Sequence, residues 1–383
     1  MATLLFVMRY PLHRWDNLKN KFDGQMAAAR ALGFETRYIG WDGEGMWLCG
    51  GAERALIRRS HMTRMPGYEH TKLYIDLMAA VEEAVRREAP DLVYLRYMPV
   101  FGNAVRALSE AKKRGARLVV EHPTYPPENG RTTSLLRKPV FAYNARVFQK
   151  IHPMIDLYAL IGNPCGDRLE GRPAMNILNG VDVERLPLHA PRPDDGSVVL
   201  LALASMSRWQ GYDRLLRAMA AYRGDAAVTL HMAGGEGDGS LAAWKRMSKE
   251  LGLTDRVVFH GELHGEALDR VAARCDIGVG GLGLYRKGQY CSMTLKLREY
   301  MARGLPFVYA VDDPSIPEEP RFCLKLENDG SAVSMEEIVA FARRARGDTE
   351  APLLMRAYAR ERMSWEGVLR AVLERVGMEC AKR

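Results

Sequence analysis

Short apolar runs alternate with amphipathic stretches along almost the whole chain. Residues 4–8 form an apolar run of strand length. Residues 19–32 repeat with helical period and stop at Gly33, a residue suited to the left-handed turn that ends a helix. The series continues with strand-like 35–39, helix 73–88, strand 92–97, helix 104–114 closed by Gly115, strand 117–121, basic helix 135–151 and strand 157–161. It breaks at 186–196, LPLHAPRPDDG, where Pro and Asp crowd out regular structure. It then restarts with strands 198–204, 228–233, 257–260, 277–279 and 307–310, separated by helices 212–221, 241–251, 266–274 and 295–303. Helical stretches 334–346, 352–362 and 365–376 close it. Such alternation predicts two α/β domains, each a parallel sheet covered by helices on both faces, joined by 186–196. Ligands of open α/β sheets sit beyond the carboxyl ends of the strands, so the loops that follow strands hold the candidate chemistry.

Composition narrows the class. A length of 383 residues suits two domains. No apolar run approaches the roughly 18 residues of a membrane span. The first nine residues carry no basic leader and read as a strand rather than a signal peptide. Cys49, Cys165, Cys275, Cys291, Cys323 and Cys380 are scattered with no C-x-x-C pair, which argues against zinc or redox chemistry and suits a reducing cytoplasm. The net charge of +8 is uneven: residues 1–183 hold 26 Lys and Arg against 19 Asp and Glu, the remainder 29 against 28. A basic first half suggests an anionic partner, either lipid or a phosphorylated acceptor, or else a solvated surface rich in Arg. No nucleic-acid-binding module is recognisable.

The strongest candidate segment is SMTLKLREYMARGLP, 292–306. Thr294 is placed to cap a helix, Gly304 to end it and Pro306 to open the next strand. Free amides at the helix start favour a diphosphate. Lys296 lies in the first turn, where a cation opposes the helix dipole and makes sense opposite an anion. Arg286 and Lys287 lie in the preceding loop, which delivers Met293 and Thr294 to the helix. Glu299 can accept two ribose hydroxyls, or pair with Arg303 at i,i+4. In the segment SMSRWQGYDR, 205–214, Arg208 can contact a diphosphate or lie free on the surface. GGEGDG, 234–239, is not a dinucleotide fingerprint and reads as a turn, or as a close backbone approach to a sugar or base. In the first half, His122 ends a strand in EHPTYP and either faces a ligand or is structural. The loop holding Arg14, with Lys19 and Lys21 behind it, offers a second phosphate contact or is a solvated basic turn. The sequence has no nucleophile elbow, H-E-x-x-H or Walker loop.

Together, EHPTYP, NGVD at 179–182, SRWQGYDRLL, VVFHGEL, SMTLKLREYMARGLP and the closing SWE at 364–366 resemble the retaining GT-B glycosyltransferases, family 4-like, group 1. The resemblance spans nearly the whole chain. It implies two doubly wound Rossmann-like domains facing across a cleft: an acceptor-side domain over 1–185 and a nucleotide-sugar domain over 186–364. A C-terminal helix, about 365–383, would cross back to the first domain. It implies metal-independent transfer of a hexosyl unit, with retention, from a nucleotide-diphosphate sugar. A UDP-sugar is the expected donor, and the acceptor a glycan or lipid-linked intermediate of surface polysaccharide synthesis. The expected location is cytoplasmic, with peripheral contact to an anionic membrane through 135–151 and 54–59; the ordinary alternative for that helix is packing on the sheet. By resemblance Glu299 binds ribose, Lys296 belongs to a K-x-x-E variant and His122 touches the donor sugar. Departures stand at Cys291, where the family has Glu, and at Ser205 and Gln210, where it has a basic pair; Arg208 and Arg286 or Lys287 are the expected substitutes. A nucleotide-sugar epimerase and a non-catalytic nucleotide-sugar-binding subunit are the rival functions.

Overall fold

The computed structural model describes residues 1–12, 17–60, 69–125, 138–162, 166–317, 319 and 321–381. Two compact units emerge, residues 1–178 with 365–383, and residues 179–364.

In the first unit the chain runs β1 (Thr3–Pro11), α1 (Asn17–Ala31), β2 (Glu35–Trp41), β3 (Gly45–Gly50), β4 (Glu53–Arg59), α2 (Glu69–Glu88), β5 (Leu92–Arg96), α3 (Gly102–Lys113), β6 (Arg117–Tyr125), α4 (Lys138–Ile151), β7 (Leu157–Gly162), β8 (Arg168–Leu169) and β9 (Arg172–Asn176). The sheet order is β4-β3-β2-β1-β5-β6-β7-β9-β8. The six strands from β2 to β9 in that order are parallel. β1, β5 and β7 are almost wholly buried because helices cover both faces, which is why they read as unbroken apolar runs. The antiparallel pair β3–β4 extends one edge and was not expected from the sequence. β4 is exposed along its length, so it lacks the apolar alternation that marks a half-buried strand.

The second unit runs β10 (Ser197–Leu203), α5 (Tyr212–Ala221), β11 (Ala227–Ala233), α6 (Ser240–Glu250), β12 (Val257–Gly261), α7 (Gly265–Ala272), β13 (Ile277–Val279), α8 (Leu295–Arg303), β14 (Phe307–Tyr309), β15 (Cys323–Lys325), α9 (Met335–Gly347) and α10 (Ala351–Arg362). Its six strands, in the order β12-β11-β10-β13-β14-β15, are all parallel.

The final helix, α11 (Trp365–Arg375), returns to the first unit. Trp365, Leu369, Val372 and Leu373 join Phe22, Met26 and Ala29 of α1 in one buried cluster. Gly24 permits the close approach, since a Cβ there would lie 2.6 Å from the Trp365 ring. Segment 186–196 is not a free linker. Arg192 bonds Asp276 at 3.0 Å and the His189 amide donates to the Arg303 carbonyl, so both hold the segment to the second unit. The division falls instead between Leu178 and Asn179, where Val181 lies beside Met363 and Ser364. Among the described residues no helix is long and apolar enough to cross a membrane.

Candidate functional site

In the second unit, the loops at the carboxyl ends of β10 and β13 are bound tightly together. Gly211 has φ +73°, and a Cβ on it would stand 2.6 Å from the backbone of Leu282 and Gly283. The Leu282 amide donates to the Gln210 carbonyl, and Arg214 donates to the carbonyls of Leu282 and Glu327. Against this frame Arg286 is not a free cation. It grips Asp213 with two bonds, 2.7 and 2.9 Å, and the Arg208 carbonyl at 2.8 Å. The Asp213 contact holds its guanidinium above the ordinary range. Arg286 therefore shapes the loop, with Asp213 already engaging its guanidinium at the position expected to offer a phosphate ligand. Lys287 lies 4.4 Å over the Trp209 ring. Arg208 is exposed, with its amide bonded to Asp238 at 3.0 Å.

The start of α8 holds the remaining donor-side candidates. Asn179 donates to the Met293 carbonyl at 2.9 Å, and Met293 is buried. Thr294 occupies the cap position with extended backbone, but its side chain makes no capping bond, contrary to the sequence expectation. Its hydroxyl oxygen is buried without a described partner. Lys296 donates to the Gln210 Oε1 at 2.6 Å and the Tyr212 hydroxyl at 3.0 Å. Both acceptors are neutral, and no carboxylate pairs with it among the described residues. Burial pushes this ammonium down to about 7. Gln210 thus reaches across 86 residues to hold Lys296. Glu299 accepts from Arg303 Nε and Nη2 through one oxygen, Oε1, at 3.0 and 2.8 Å. The i,i+4 pair is therefore present, and no bond is described to Oε2. The turn at 234–239 is closed by Glu236, whose Oε1 accepts the amides of Gly237, Asp238 and Gly239. A side-chain carboxylate thus sits at the start of α6.

In the first unit His122 is 4% exposed and both ring nitrogens lack a described partner. It stacks on Tyr97 at 4.2 Å and meets Phe148 edge-on. Burial lowers its pKa to about 4. The ring is neutral near pH 7, with one nitrogen donating and the other accepting. Beside it lies a polar cluster that sequence reasoning missed. Glu121 Oε1 accepts from Lys21 at 2.7 Å and Arg96 at 2.9 Å, and Oε2 from Gln25 at 2.7 Å and Tyr94 at 2.9 Å. Burial alone raises the Glu121 pKa, but the Lys21 and Arg96 charges and these bonds outweigh it and hold it near about 2. Lys21, expected as a second phosphate contact, is buried and paired with Glu121. Lys19 is bonded to Tyr10 and Asp23, at 2.6 and 2.8 Å. Arg14 lies outside the described residues. The one signal of the cluster in the sequence is an acid ending the apolar run of β6.

Among the described residues no three His, Cys, Asp or Glu side chains are grouped to hold a metal ion.

Residues 197–346 match the family Glycosyl transferases group 1. No curated protein sequence matches the chain. Among solved structures, sucrose-phosphate synthase from Thermosynechococcus elongatus aligns over 98% of both chains, with 14% identity and a TM-score of 0.68. The catalytic domain of starch synthase IV from Arabidopsis thaliana, bound to ADP and acarbose, aligns over 98% of both, with 10% identity and a TM-score of 0.64. HepE from Anabaena in complex with UDP covers 98% of this chain and 99% of its own, with 17% identity and a TM-score of 0.61.

Proposed function

From the premise that this chain has the GT-B fold and that its second unit is a group 1 glycosyltransferase domain, we propose that it transfers a hexosyl unit, with retention, from a nucleotide-diphosphate sugar. The observation that carries the donor site is Lys296: an ammonium in the first turn of α8, desolvated and, among the described residues, held by neutral oxygens. A buried charge without a counter-charge is costly, and a diphosphate at the helix start supplies one. The departing diphosphate is stabilised there by the α8 amides and Lys296, aided by Arg208 and Lys287, without a metal ion. Glu299 Oε2 takes the ribose, while Oε1 keeps its bond to Arg303. His122 meets the donor sugar as a neutral hydrogen-bonding group. The departing phosphate takes the acceptor's proton. UDP is the preferred nucleotide, a choice supported by the UDP complex of HepE. The acceptor is a glycan or lipid-linked intermediate of surface polysaccharide synthesis, handled in the cytoplasm; the basic first half of the chain supports an anionic one.

The test is calorimetric titration with UDP, GDP and ADP on wild type and Glu299→Gln. Selective binding of one nucleotide, weakened at least about tenfold in the variant, is expected from the loss of a charged hydrogen-bond acceptor. Absence of binding by all three, or equal binding by the variant, refutes the placement of the donor.

A further inference from the structure

Arg303, at the last turn of α8, is wedged between two acids and its side chain is only 3% exposed. Nε and Nη2 both donate to Oε1 of Glu299, at 3.0 and 2.8 Å. Nη2 also lies 2.7 Å from Oδ1 of Asp269 on α7. The helix end beneath it is fixed. The Arg303 carbonyl accepts the His189 amide at 2.7 Å, and a Cβ on the following Gly304 would stand 2.5 Å from the Pro352 carbonyl oxygen at the start of α10. An i,i+4 pair on a helix surface needs neither this burial nor a second acid.

The bonding is also lopsided. The Nε–Nη2 edge of a guanidinium is spaced to meet both oxygens of one carboxylate. Here both N–H groups fall on a single oxygen, and the other hydrogen of Nη2 faces Asp269. Oε2 of Glu299 has no bond to a described residue, and this side chain is 25% exposed. Two carboxylates share one guanidinium, so the trio keeps a negative charge in surplus. An ionised carboxylate only accepts hydrogen bonds, so the open oxygen suits a neutral hydroxyl, and the surplus charge repels phosphate.

We propose that Asp269 is a positioning residue for hydroxyl recognition at Glu299: by engaging Nη2 it keeps Arg303 on Oε1 and leaves Oε2 open to a ribose hydroxyl. Without Asp269 the guanidinium turns square to Glu299, takes both oxygens and closes the acceptor. This role rests on Glu299 being the ribose ligand. It adds that an acid on the neighbouring helix sets how strongly the ribose is read, acting through Arg303.

Calorimetric titration tests the two separately. The probes are UDP, 2′,3′-dideoxy-UDP and inorganic pyrophosphate, on wild type, Asp269→Ala and Asp269→Asn; GDP or ADP and its dideoxy form replace the uridine pair if that nucleotide binds more tightly. Wild type should prefer the ribose form by roughly tenfold or more, the worth of a hydrogen bond to a charged acceptor. In Asp269→Ala the ratio should fall to about two or less, with affinity for the dideoxy form and for pyrophosphate unchanged. Asp269→Asn keeps an oxygen for Nη2 and should recover an intermediate ratio. Arg303 retains Glu299 as a partner in both variants, so the circular dichroism spectrum should match wild type. A wild-type ratio near one refutes the ribose reading, and the role of Asp269 falls with it. A wild-type preference that Asp269→Ala keeps in full overturns the positioning role alone. So does an Asp269→Ala protein that binds all three probes equally weakly relative to wild type, since the residue is then merely structural.

Discussion

Lys296 offers a quantitative test of the donor site, because its charge in the empty protein is poorly supported. Its ordinary pKa is about 10.4, and burial takes it to about 7. At roughly 1.4 kcal/mol per unit, keeping the charge there costs on the order of 4 kcal/mol. The folded value is depressed, so the penalty is full below about pH 7 and is relieved as pH rises toward about 10.4. The empty protein therefore gains stability with pH across that window, and Lys296→Met is the more stable form at its lower end. At pH 8 only about one molecule in ten carries the charge. A diphosphate bound at α8 raises the pKa again, so binding at pH 8 takes up close to one proton. Affinity should fall about tenfold between pH 8 and 9. The assay is calorimetry with UDP at pH 8, where the ligand is fully ionised, in two buffers of different ionisation enthalpy. The difference in apparent enthalpy counts protons. Wild type should take up nearly one and Lys296→Met none. Zero uptake in wild type, or equal uptake in Lys296→Met, refutes the reasoning.

Two further outcomes follow from the same structure. Glu121→Gln leaves the buried Lys21 and the partly buried Arg96 beside a neutral amide, which should cost about 3–5 kcal/mol in denaturant unfolding; a loss below about 1 kcal/mol would mean that the cluster is solvated. Glu121 titrates near about 2, so its contribution persists above the unfolded carboxyl value of about 4.3 and disappears as pH falls toward 2. Gly211→Ala places a Cβ against the 282–283 backbone at φ +73°, and should destabilise the second unit by more than about 1 kcal/mol, read as a lowered melting temperature; an unchanged one would show that the loop yields.

The sequence was most legible where structure is local. Helix α8 shows its period, its Thr294 start and its Gly304 end within eleven residues, and Gly304 does take φ +67°. The alternation of α8, β13 and β14 was likewise readable from neighbouring positions. What stayed hidden depends on distant partners. Arg286 meets Asp213 across 73 residues and Lys21 meets Glu121 across 100, so each resembled a free cation until the fold placed an acid beside it. The Pro- and Asp-rich 186–196 looked like a linker because composition does not reveal that Arg192 is tied to Asp276. At Glu299 the i,i+4 reading was local and is present: Arg303 engages one carboxylate oxygen, Oε1.

The return of α11 to α1 has a consequence for biosynthesis. Residues 179–364 are contiguous, so the second unit can emerge from the ribosome and fold as a block. The first unit cannot, although its strands are translated earlier. Its cluster around Phe22 and Met26 stays open until Trp365, Leu369 and Val372 have been made. The half of the protein born first is therefore the half completed last, and in the interval its nascent apolar surface is the one that chaperones must shield.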